Sequence, residues 1–451
     1  MLELFGSGVM ALWLEMAGVK AASADAVPLL ALQGPPGSAL LVQSEAKTTT
    51  ILQTYLKTVL ANGTAANQQG IWFQSGPVLL AQNQGTEPLP AASITKIATT
   101  LATLATWNPA YQFDTLVGVN GPVEQGVLRG DLIIQGGRDP LFVWEEAIAL
   151  GNRLNQIGIQ EVTGDLVIAG DFYMNFLEEP EKAGVLLKQG MDAGSWPPIA
   201  AAQYRKLPPG TPKPQLKIEG SVRVVQGGAI APLAANGSGL DGVVAEPGSP
   251  VAVLRHRSLP LVELLKQMNI YSNNAMAEML ATAAGGPQAV AQTAANAAGV
   301  PVQEIQLING SGLGVDNRVS PRAATAMLAA IQRQVYPHQL TVADLFPIAG
   351  RDRKGTLNGR KIPAGAVVKT GTLNTVSALA GVIPTRDRGP VWFAIINHGS
   401  NIGTLRQQQD RLLQALLQQW QVPPAMPEAI APRLDRNPAY ELGAASRNEV
   451  L

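Results

Sequence analysis

Three short motifs in this chain carry side chains that could perform acyl transfer. Ser93 and Lys96 stand three residues apart, Ser272-Asn273-Asn274 follows much later, and Lys369-Thr370-Gly371 comes last. A serine hydroxyl is a weak nucleophile until a base takes its proton, and a neutral lysine amine can be that base. Burial and a second cation nearby, which Lys369 could supply, both lower the pKa of a lysine. The first motif therefore predicts a serine nucleophile with a lysine base.

The three motifs together are a stronger signal than any one of them. Ser-x-x-Lys recurs at Ser44 and Lys47, and Ser-x-Asn recurs at Ser446 and Asn448, so each motif alone is weak. Singly, they are typical of a helix N-cap, a turn and an edge strand. In a chain of this composition, the odds that all three motifs arise by chance in this order are about one in a hundred or less.

The element around Ser93 is predicted to be the start of an apolar helix. Residues three apart project from one face of a helix, so the Ser93 hydroxyl and the Lys96 amine are expected within hydrogen-bond reach. The backbone N–H groups at a helix start also face developing negative charge, as an oxyanion requires. The apolar residues that repeat at i, i+3, i+4 and i+7 are Ile94, Ile97, Ala98, Leu101 and Leu104.

Other segments give the elements that must hold these motifs. The patterns predict helices over 48–61 and from Ser258 through Ala284 with a break at 271–274, a hairpin after Ile71, strands over 364–397, and a packed helix ending at Trp420. Between Asn108 and Pro250, short apolar runs punctuated by Gly, Pro and Asp predict a separate β-rich unit. Two segments there echo each other, Gly130–Gly136 and Gly164–Gly170, which are too few copies for a solenoid.

Composition excludes several classes of function. Lys+Arg and Asp+Glu are both 33, which leaves no surplus of positive charge for nucleic-acid binding. The absence of cysteine excludes disulfides, thiolate nucleophiles and cysteine-ligated zinc. The three histidines, His256, His338 and His398, form no metal-type cluster, and His398 is expected to end a strand. We therefore expect no metal and a base other than histidine.

The two ends of the chain are predicted to be a signal or anchor segment and an extended or disordered tail. The first 24 residues contain an apolar run from Phe5 to Leu14 and end in Ala22-Ser23-Ala24, which is typical of a signal peptide, although no basic residue precedes the run. Elsewhere no apolar stretch reaches the ~20 residues that span a bilayer. From Val422 onward, the prolines predict an extended or disordered tail without evident chemistry.

The motifs coincide with those of serine β-lactamases and penicillin-binding proteins. The chain resembles the class C low-molecular-mass penicillin-binding proteins, which are D-alanyl-D-alanine carboxypeptidases/endopeptidases with a large insertion after the nucleophile. Here 179 residues separate Ser93 from Ser272, far too many for a β-lactamase. The resemblance extends over about residues 50 to 420 and includes the stretches LPAASITK, GDLIIQGGRDP, VELLKQMNIYSNNAMAEML, NGSGLGVDNRVSP and KTGTLNTVSALAGV.

The resemblance implies an α/β fold of the α+β type, a transpeptidase-like domain with a central antiparallel sheet flanked by helices and split by a β-rich insertion. The predicted parts are a signal or N-terminal anchor over 1–27, the DD-peptidase domain over 28–107 and 251–421, the insertion over 108–250, and a proline-rich tail over 422–451.

It also implies a role for each motif residue. Ser93 would be the acylated nucleophile, Lys96 its base, and Ser272 a proton relay to the leaving amine. Asn274 would bind the substrate amide, and Lys369 would supply positive potential. Thr370 and Thr372, on either side of Gly371, would bind the terminal carboxylate. The backbone N–H groups of Ser93 and Thr372 would form the oxyanion hole.

The predicted function is that of a serine-type D-Ala-D-Ala carboxypeptidase/DD-endopeptidase acting on peptidoglycan stem peptides, inhibited by β-lactams and requiring no cofactor. Because peptidoglycan lies outside the cytoplasmic membrane, we expect an exported protein, periplasmic or tethered at its N-terminus. Two alternatives stay open: a β-lactamase or esterase on the same scaffold, and a catalytically silent peptidoglycan-binding scaffold.

Overall fold

The computed structural model describes residues 41–42, 45–61, 63–226, 230, 250–352, 354–435 and 437–451. The predicted signal or anchor over 1–27 lies outside these residues. By Cα proximity the chain divides into two units. Of the described residues, the first unit contains those up to 101 and those within 291–308 and 312–433, and the second contains those within 102–290, 309–311 and 434–451. The bounds predicted for the insertion, 108–250, fall inside the second unit and stay a prediction.

The described residues form ten α-helices and nineteen strands. The helices are α1 Ala46–Ala61, α2 Lys96–Thr106, α3 Trp144–Gln156, α4 Pro180–Gly190, α5 Pro198–Tyr204, α6 Leu261–Tyr271, α7 Asn274–Ala283, α8 Pro287–Ala298, α9 Pro321–Val335 and α10 Ile402–Trp420. The strands are β1 Leu41–Val42, β2 Gln69–Ser75, β3 Val78–Asn83, β4 Leu89–Pro90, β5 Asp114–Val119, β6 Val123–Glu124, β7 Val127–Leu128, β8 Leu132–Gly137, β9 Glu161–Val162, β10 Leu166–Asp171, β11 Lys217–Ile218, β12 Val222–Val225, β13 Val251–Arg257, β14 Ile305–Gln306, β15 Arg318–Val319, β16 Val367–Leu373, β17 Val376–Thr385, β18 Gly389–His398 and β19 Asn448–Val450.

The first unit is built on a six-stranded sheet in the order β1-β3-β2-β18-β17-β16. All its pairings are antiparallel except that of β1 with β3. Helices α1 and α10 pack together, and their apolar residues form one core cluster with β2, β17 and β18. Helix α9 packs against β18, β2 and β17. Every residue of β17 is buried, including the polar Ser377 and Thr385. This sheet with its helices confirms the predicted fold class.

The second unit contains a six-stranded sheet, β12-β10-β8-β5-β13-β19, and a four-stranded sheet, β11-β9-β7-β6. It is not purely β, because α3, α4 and α5 lie within 108–250 and contribute apolar residues to the same core cluster as the strands. The sequence prediction missed these helices, since it took the whole stretch as β-rich. Among the described helices, none is both long and apolar enough to cross a bilayer.

The two echoing segments of this unit are neighbours in its sheet. Strands β8 and β10 pair in parallel with Leu132 opposite Leu166, and β12 continues the pattern with Val222 opposite Leu166. The side chain of Asp131 accepts the N–H of Asp165 at 2.8 Å, and that of Asp165 accepts the N–H of Ser221 at 2.9 Å. A third copy therefore exists at Gly220-Ser221-Val222, where serine stands in place of aspartate.

The C-terminal segment is part of the second unit. Strand β19 pairs with β13. The guanidinium of Arg447 donates to Glu146 Oε1 at 2.5 Å, and both side chains are almost fully buried, at 4% and 1% exposure. The sequence predicted an extended or disordered tail from Val422 onward and did not indicate this strand, because Asn448–Val450 is too short to give a pattern.

Candidate active site

Ser93 lies in a single 3-10 turn, Ala92–Thr95, that leads into α2. The α-helix begins at Lys96, three residues later than Ser93, so the predicted helix start is displaced by one turn. Lys96 is completely buried, and its Nζ donates a hydrogen bond to Ser93 Oγ at 3.0 Å. The Ser93 side chain is half-buried. The predicted contact between this hydroxyl and this amine is therefore confirmed.

The turn that carries Ser93 is held in a strained conformation. Ala92 has φ +48°, in the left-handed region that a non-glycine residue rarely adopts. The N–H of Ala91 donates to the carbonyl of Asn317 at 2.8 Å, which anchors the chain just before the strained residue. Gly312 passes so close that a Cβ there would lie 1.9 Å from the Ala92 carbonyl oxygen. Strain of this kind persists where the surrounding structure fixes it, commonly at functional sites.

Strand β16 brings the third motif to the same turn. A Cβ built on Gly371 would lie 2.9 Å from the Ala91 carbonyl oxygen and 3.0 Å from the Ser93 nitrogen. Only glycine allows two backbones to approach this closely. The Lys369-Thr370-Gly371 motif therefore runs directly alongside the backbone of the nucleophile.

Lys369 is completely buried, and its Nζ donates to the carbonyl oxygen of Thr370 at 2.8 Å. Burial lowers its pKa well below the ordinary value for a lysine, and the charge of Lys96 lowers it further. The charge of Lys96 therefore disfavours the charged form of Lys369. The lowered pKa that the sequence predicts for Lys96 stays a prediction.

Thr370 and Thr372, the threonines on either side of Gly371, have different partners. The buried Thr370 hydroxyl donates to Thr356 Oγ1 at 2.7 Å. Thr372 is exposed, and its hydroxyl oxygen accepts a hydrogen bond from the Arg406 guanidinium at 2.6 Å. Both hydroxyls are therefore positioned by side chains outside the motif.

The second motif lies at the junction of α6 and α7. Ser272 ends α6 in the left-handed region, with φ +53°, and Asn273 caps α7 by accepting the N–H of Met276 at 3.0 Å. Asn274 is the first residue of α7 and is exposed. Of the eight predicted site residues, the first unit brings together Ser93, Lys96, Lys369, Thr370, Gly371 and Thr372, and the second unit contains Ser272 and Asn274. The roles assigned to all eight stay predictions.

Sequence reasoning did not identify Thr356, Gly312 or Arg406. Gly312 belongs to a stretch that the family resemblance included, but its spacing alone gave no signal. Arg406 stands on the polar side of a helical pattern, where an arginine is typical of a solvated face. His398, predicted to end a strand, is the last residue of β18, as expected.

Comparison with known proteins identifies the family of the chain. The model of the D-Ala-D-Ala carboxypeptidase 3 (S13) family matches residues 52–203 and 233–419, which is more than half of the chain. The chain belongs to this family. Membership confirms the family recognised from the motifs and the enzyme class expected of it, a serine-type D-Ala-D-Ala carboxypeptidase.

Individual relatives support the assignment. A carboxypeptidase of Mycobacterium tuberculosis is 29% identical over 342 residues, which are 69% of this chain and 71% of that protein. The carboxypeptidase DacB of Mycolicibacterium smegmatis is 32% identical over 162 residues, and the match spans only 35% of its length. A penicillin G-acylated predatory endopeptidase of Bdellovibrio bacteriovorus, solved with an immunity protein, superposes with a TM-score of 0.68 at 20% identity, over 85% of this chain and 99% of that one. That likeness confirms the fold.

Proposed function

We propose that this S13 family member cleaves the D-alanyl ends or cross-links of peptidoglycan stem peptides through a covalent acyl-enzyme on Ser93. One observation carries the proposal: a fully buried lysine amine, Lys96 Nζ, lies 3.0 Å from the Ser93 hydroxyl oxygen. A hydroxyl and an amine in this geometry can exchange a proton without moving.

Acylation follows from this pair. When its amine is neutral, Lys96 takes the Ser93 proton along the same 3.0 Å line, and the serine oxygen attacks the carbonyl carbon of the penultimate D-alanine. The peptide C–N bond then breaks, the leaving amine gains a proton, and the acyl group stays on Ser93 as an ester. Water hydrolyses this ester in the second step, which returns the serine and releases the shortened peptide.

The carbonyl oxygen becomes an oxyanion during attack and needs N–H donors. We assign this task to the backbone N–H groups of Ser93 and Thr372, on the two chain segments that Gly371 allows to meet. The hydroxyls of Thr370 and Thr372 are assigned to the terminal carboxylate of the substrate. Lys369, when protonated, is assigned the positive potential that acts on the same region.

Ser272 and Asn274 are assigned by the family motif. Ser272 would relay a proton to the leaving amine, and Asn274 would hydrogen-bond the amide of the substrate. The left-handed backbone of Ser272, at φ +53°, supports a functional position, since such conformations cluster at active sites.

Two further proposals follow from this chemistry. A β-lactam should acylate Ser93 and deacylate slowly, because its ring carbonyl presents the same electrophile beside a carboxylate. The protein should act outside the cytoplasmic membrane, where peptidoglycan lies.

Labelling purified protein with a fluorescent penicillin tests the proposal. We expect a stable band that Ser93→Ala abolishes and that Ser44→Ala, in the chance Ser-x-x-Lys motif, retains. Release of D-alanine from a stem peptide should follow the same pattern. D-alanine release that persists in Ser93→Ala would refute the assignment of the nucleophile. Rapid destruction of the penicillin without a stable band would indicate a β-lactamase instead, and an intact penicillin without a band would indicate a silent scaffold.

A further inference from the structure

The exposed hydroxyl of Thr372, the residue that follows the third motif, has a cationic partner. Arg406, in the first turns of α10, donates from its terminal nitrogen to Thr372 Oγ1 at 2.6 Å. We propose that Arg406 is a specificity-determining residue that holds Thr372 and supplies the positive charge recognising the free carboxylate of the substrate's last residue. This inference rests on the proposed function of the site.

The hydrogen bond fixes which way the threonine hydroxyl points. A guanidinium can only donate, so Thr372 Oγ1 accepts from Arg406 and its own proton points elsewhere. A carboxylate can only accept, so it is the natural receiver of that proton. The guanidinium has five N–H donors and uses one to bind Thr372. The remaining donors can bind the second oxygen of the substrate carboxylate.

Arg406 forms no direct ion pair with Asp410, the acid nearest to it along α10. Asp410 stands one turn further along α10, where an i, i+4 partner would be. Its Oδ1 instead accepts from the guanidinium of Arg360 at 2.7 Å, and its Oδ2 accepts from the backbone N–H of Lys361 at 2.8 Å. Within the described parts of the chain, no ion pair joins Arg406 to a carboxylate. A substrate carboxylate would therefore meet an arginine whose neighbouring acid, Asp410, is hydrogen-bonded to Arg360 and Lys361 instead.

Lys369 and Arg406, the two cations near β16, differ in burial and in hydrogen-bond partner. Lys369 is completely buried and donates to a backbone carbonyl, whereas Arg406 is half-buried and bonds an exposed hydroxyl. Partial burial lowers the pKa of Arg406, and the charge of Arg360 lowers it further, while Asp410 opposes this. Poor solvation strengthens the attraction of a guanidinium for an incoming anion. Lys369 thus contributes background potential, and Arg406 contributes direct contact.

The test measures how strongly the enzyme prefers a free C-terminal carboxylate over a C-terminal amide, in addition to its activity. A stem peptide ending in D-Ala-D-Ala is compared with the same peptide carrying a C-terminal amide, which keeps the scissile bond and removes the negative charge. Wild-type protein should prefer the free acid. In Arg406→Gln, we expect the ratio of kcat/KM for acid over amide to fall by about 10-fold or more, mainly through a higher KM for the acid. Arg406→Lys, which keeps the charge and loses the planar fork, should recover part of the ratio.

The matched control is Arg411→Gln, which removes the same charge from an exposed position five residues along the same helix. The control should keep the wild-type ratio. If Arg406→Gln and Arg406→Lys both keep the acid preference, or lower both substrates equally, the inference is overturned while the proposed function stands. If wild-type protein releases no D-alanine from the acid, the proposed function fails, and the inference fails with it.

Discussion

Gly371 is the position at which strand β16 touches the turn that carries the nucleophile, so it gives a sharp test of how the site is assembled. In Gly371→Ala, the new methyl carbon would lie 2.9 Å from the Ala91 carbonyl oxygen, 3.0 Å from the Ser93 nitrogen and 3.1 Å from Ala92 Cβ. Comfortable contact begins at about 3.5 Å, so the strand and the turn must separate by about 0.5 Å.

This displacement should lower the rate of acylation. A misplacement of about 1 Å can cost about 100-fold, so a shift of half that size should slow acylation by about 10-fold. Overpacking should also lower the free energy of unfolding by about 1–3 kcal/mol. The assay is the second-order rate constant of acylation by a fluorescent penicillin, with a thermal unfolding curve to show that the variant folds.

A matched glycine elsewhere provides the control for Gly371→Ala. A Cβ on Gly403, in α10, would meet only Asn401 Oδ1, at 3.6 Å, so Gly403→Ala should keep the wild-type rate. An acylation rate for Gly371→Ala within about 2-fold of wild type would refute the reasoning, because the two backbones would then have room that the structure denies them.

Two further predictions concern buried charges. The lowered pKa of Lys369 in the folded protein means that, between that pKa and about 10.5, the unfolded chain binds more protons, so the free energy of unfolding should rise with pH by up to about 1.4 kcal/mol per unit. Lys369→Met should lose this rise in urea unfolding curves recorded at several pH values, and an unchanged slope would contradict the assignment. Arg447→Met leaves the carboxylate of Glu146 buried without its cation and should cost about 3–5 kcal/mol. Arg386→Met, which breaks an exposed pair, should cost less than about 1 kcal/mol, and equal losses for the two variants in the same unfolding assay would exclude the buried pair as the cause.

The parts of the site that the sequence predicted well are local or follow from the motifs. Ser93 and Lys96 are three residues apart on one turn, and such spacing alone brings their side chains together. The strands around the third motif and the helix that ends at Trp420 show clear apolar patterns, so their existence could be predicted from periodicity.

The parts that the sequence did not predict depend on long-range pairing. The bond from Arg406 to Thr372 joins residues 34 positions apart, and nothing in either local pattern indicates it. The third copy of the repeat at Gly220 was missed because Ser221 replaces the aspartate and the interval from the second copy is longer than that between the first two. Gly312 is required by a carbonyl oxygen that comes from another segment of the chain. Tertiary contact decided each of these positions.

The short strand β19 has a consequence for the order in which the protein folds during synthesis. It completes one edge of a sheet by pairing with β13, and Asn448 contacts His256 across 192 positions of chain. At translation rates of about 5–20 residues per second, synthesis of the 192 positions between His256 and Asn448 takes about 10–40 s, and β13 has no β19 to pair with during that time. Throughout that interval the edge of the sheet at β13 is unpaired. The carboxylate of Glu146 also lacks its ion-pair partner, Arg447, which is synthesised 301 residues later. The edge of the sheet at β13 and the carboxylate of Glu146 therefore gain their partners only after the residues around β19 have been synthesised.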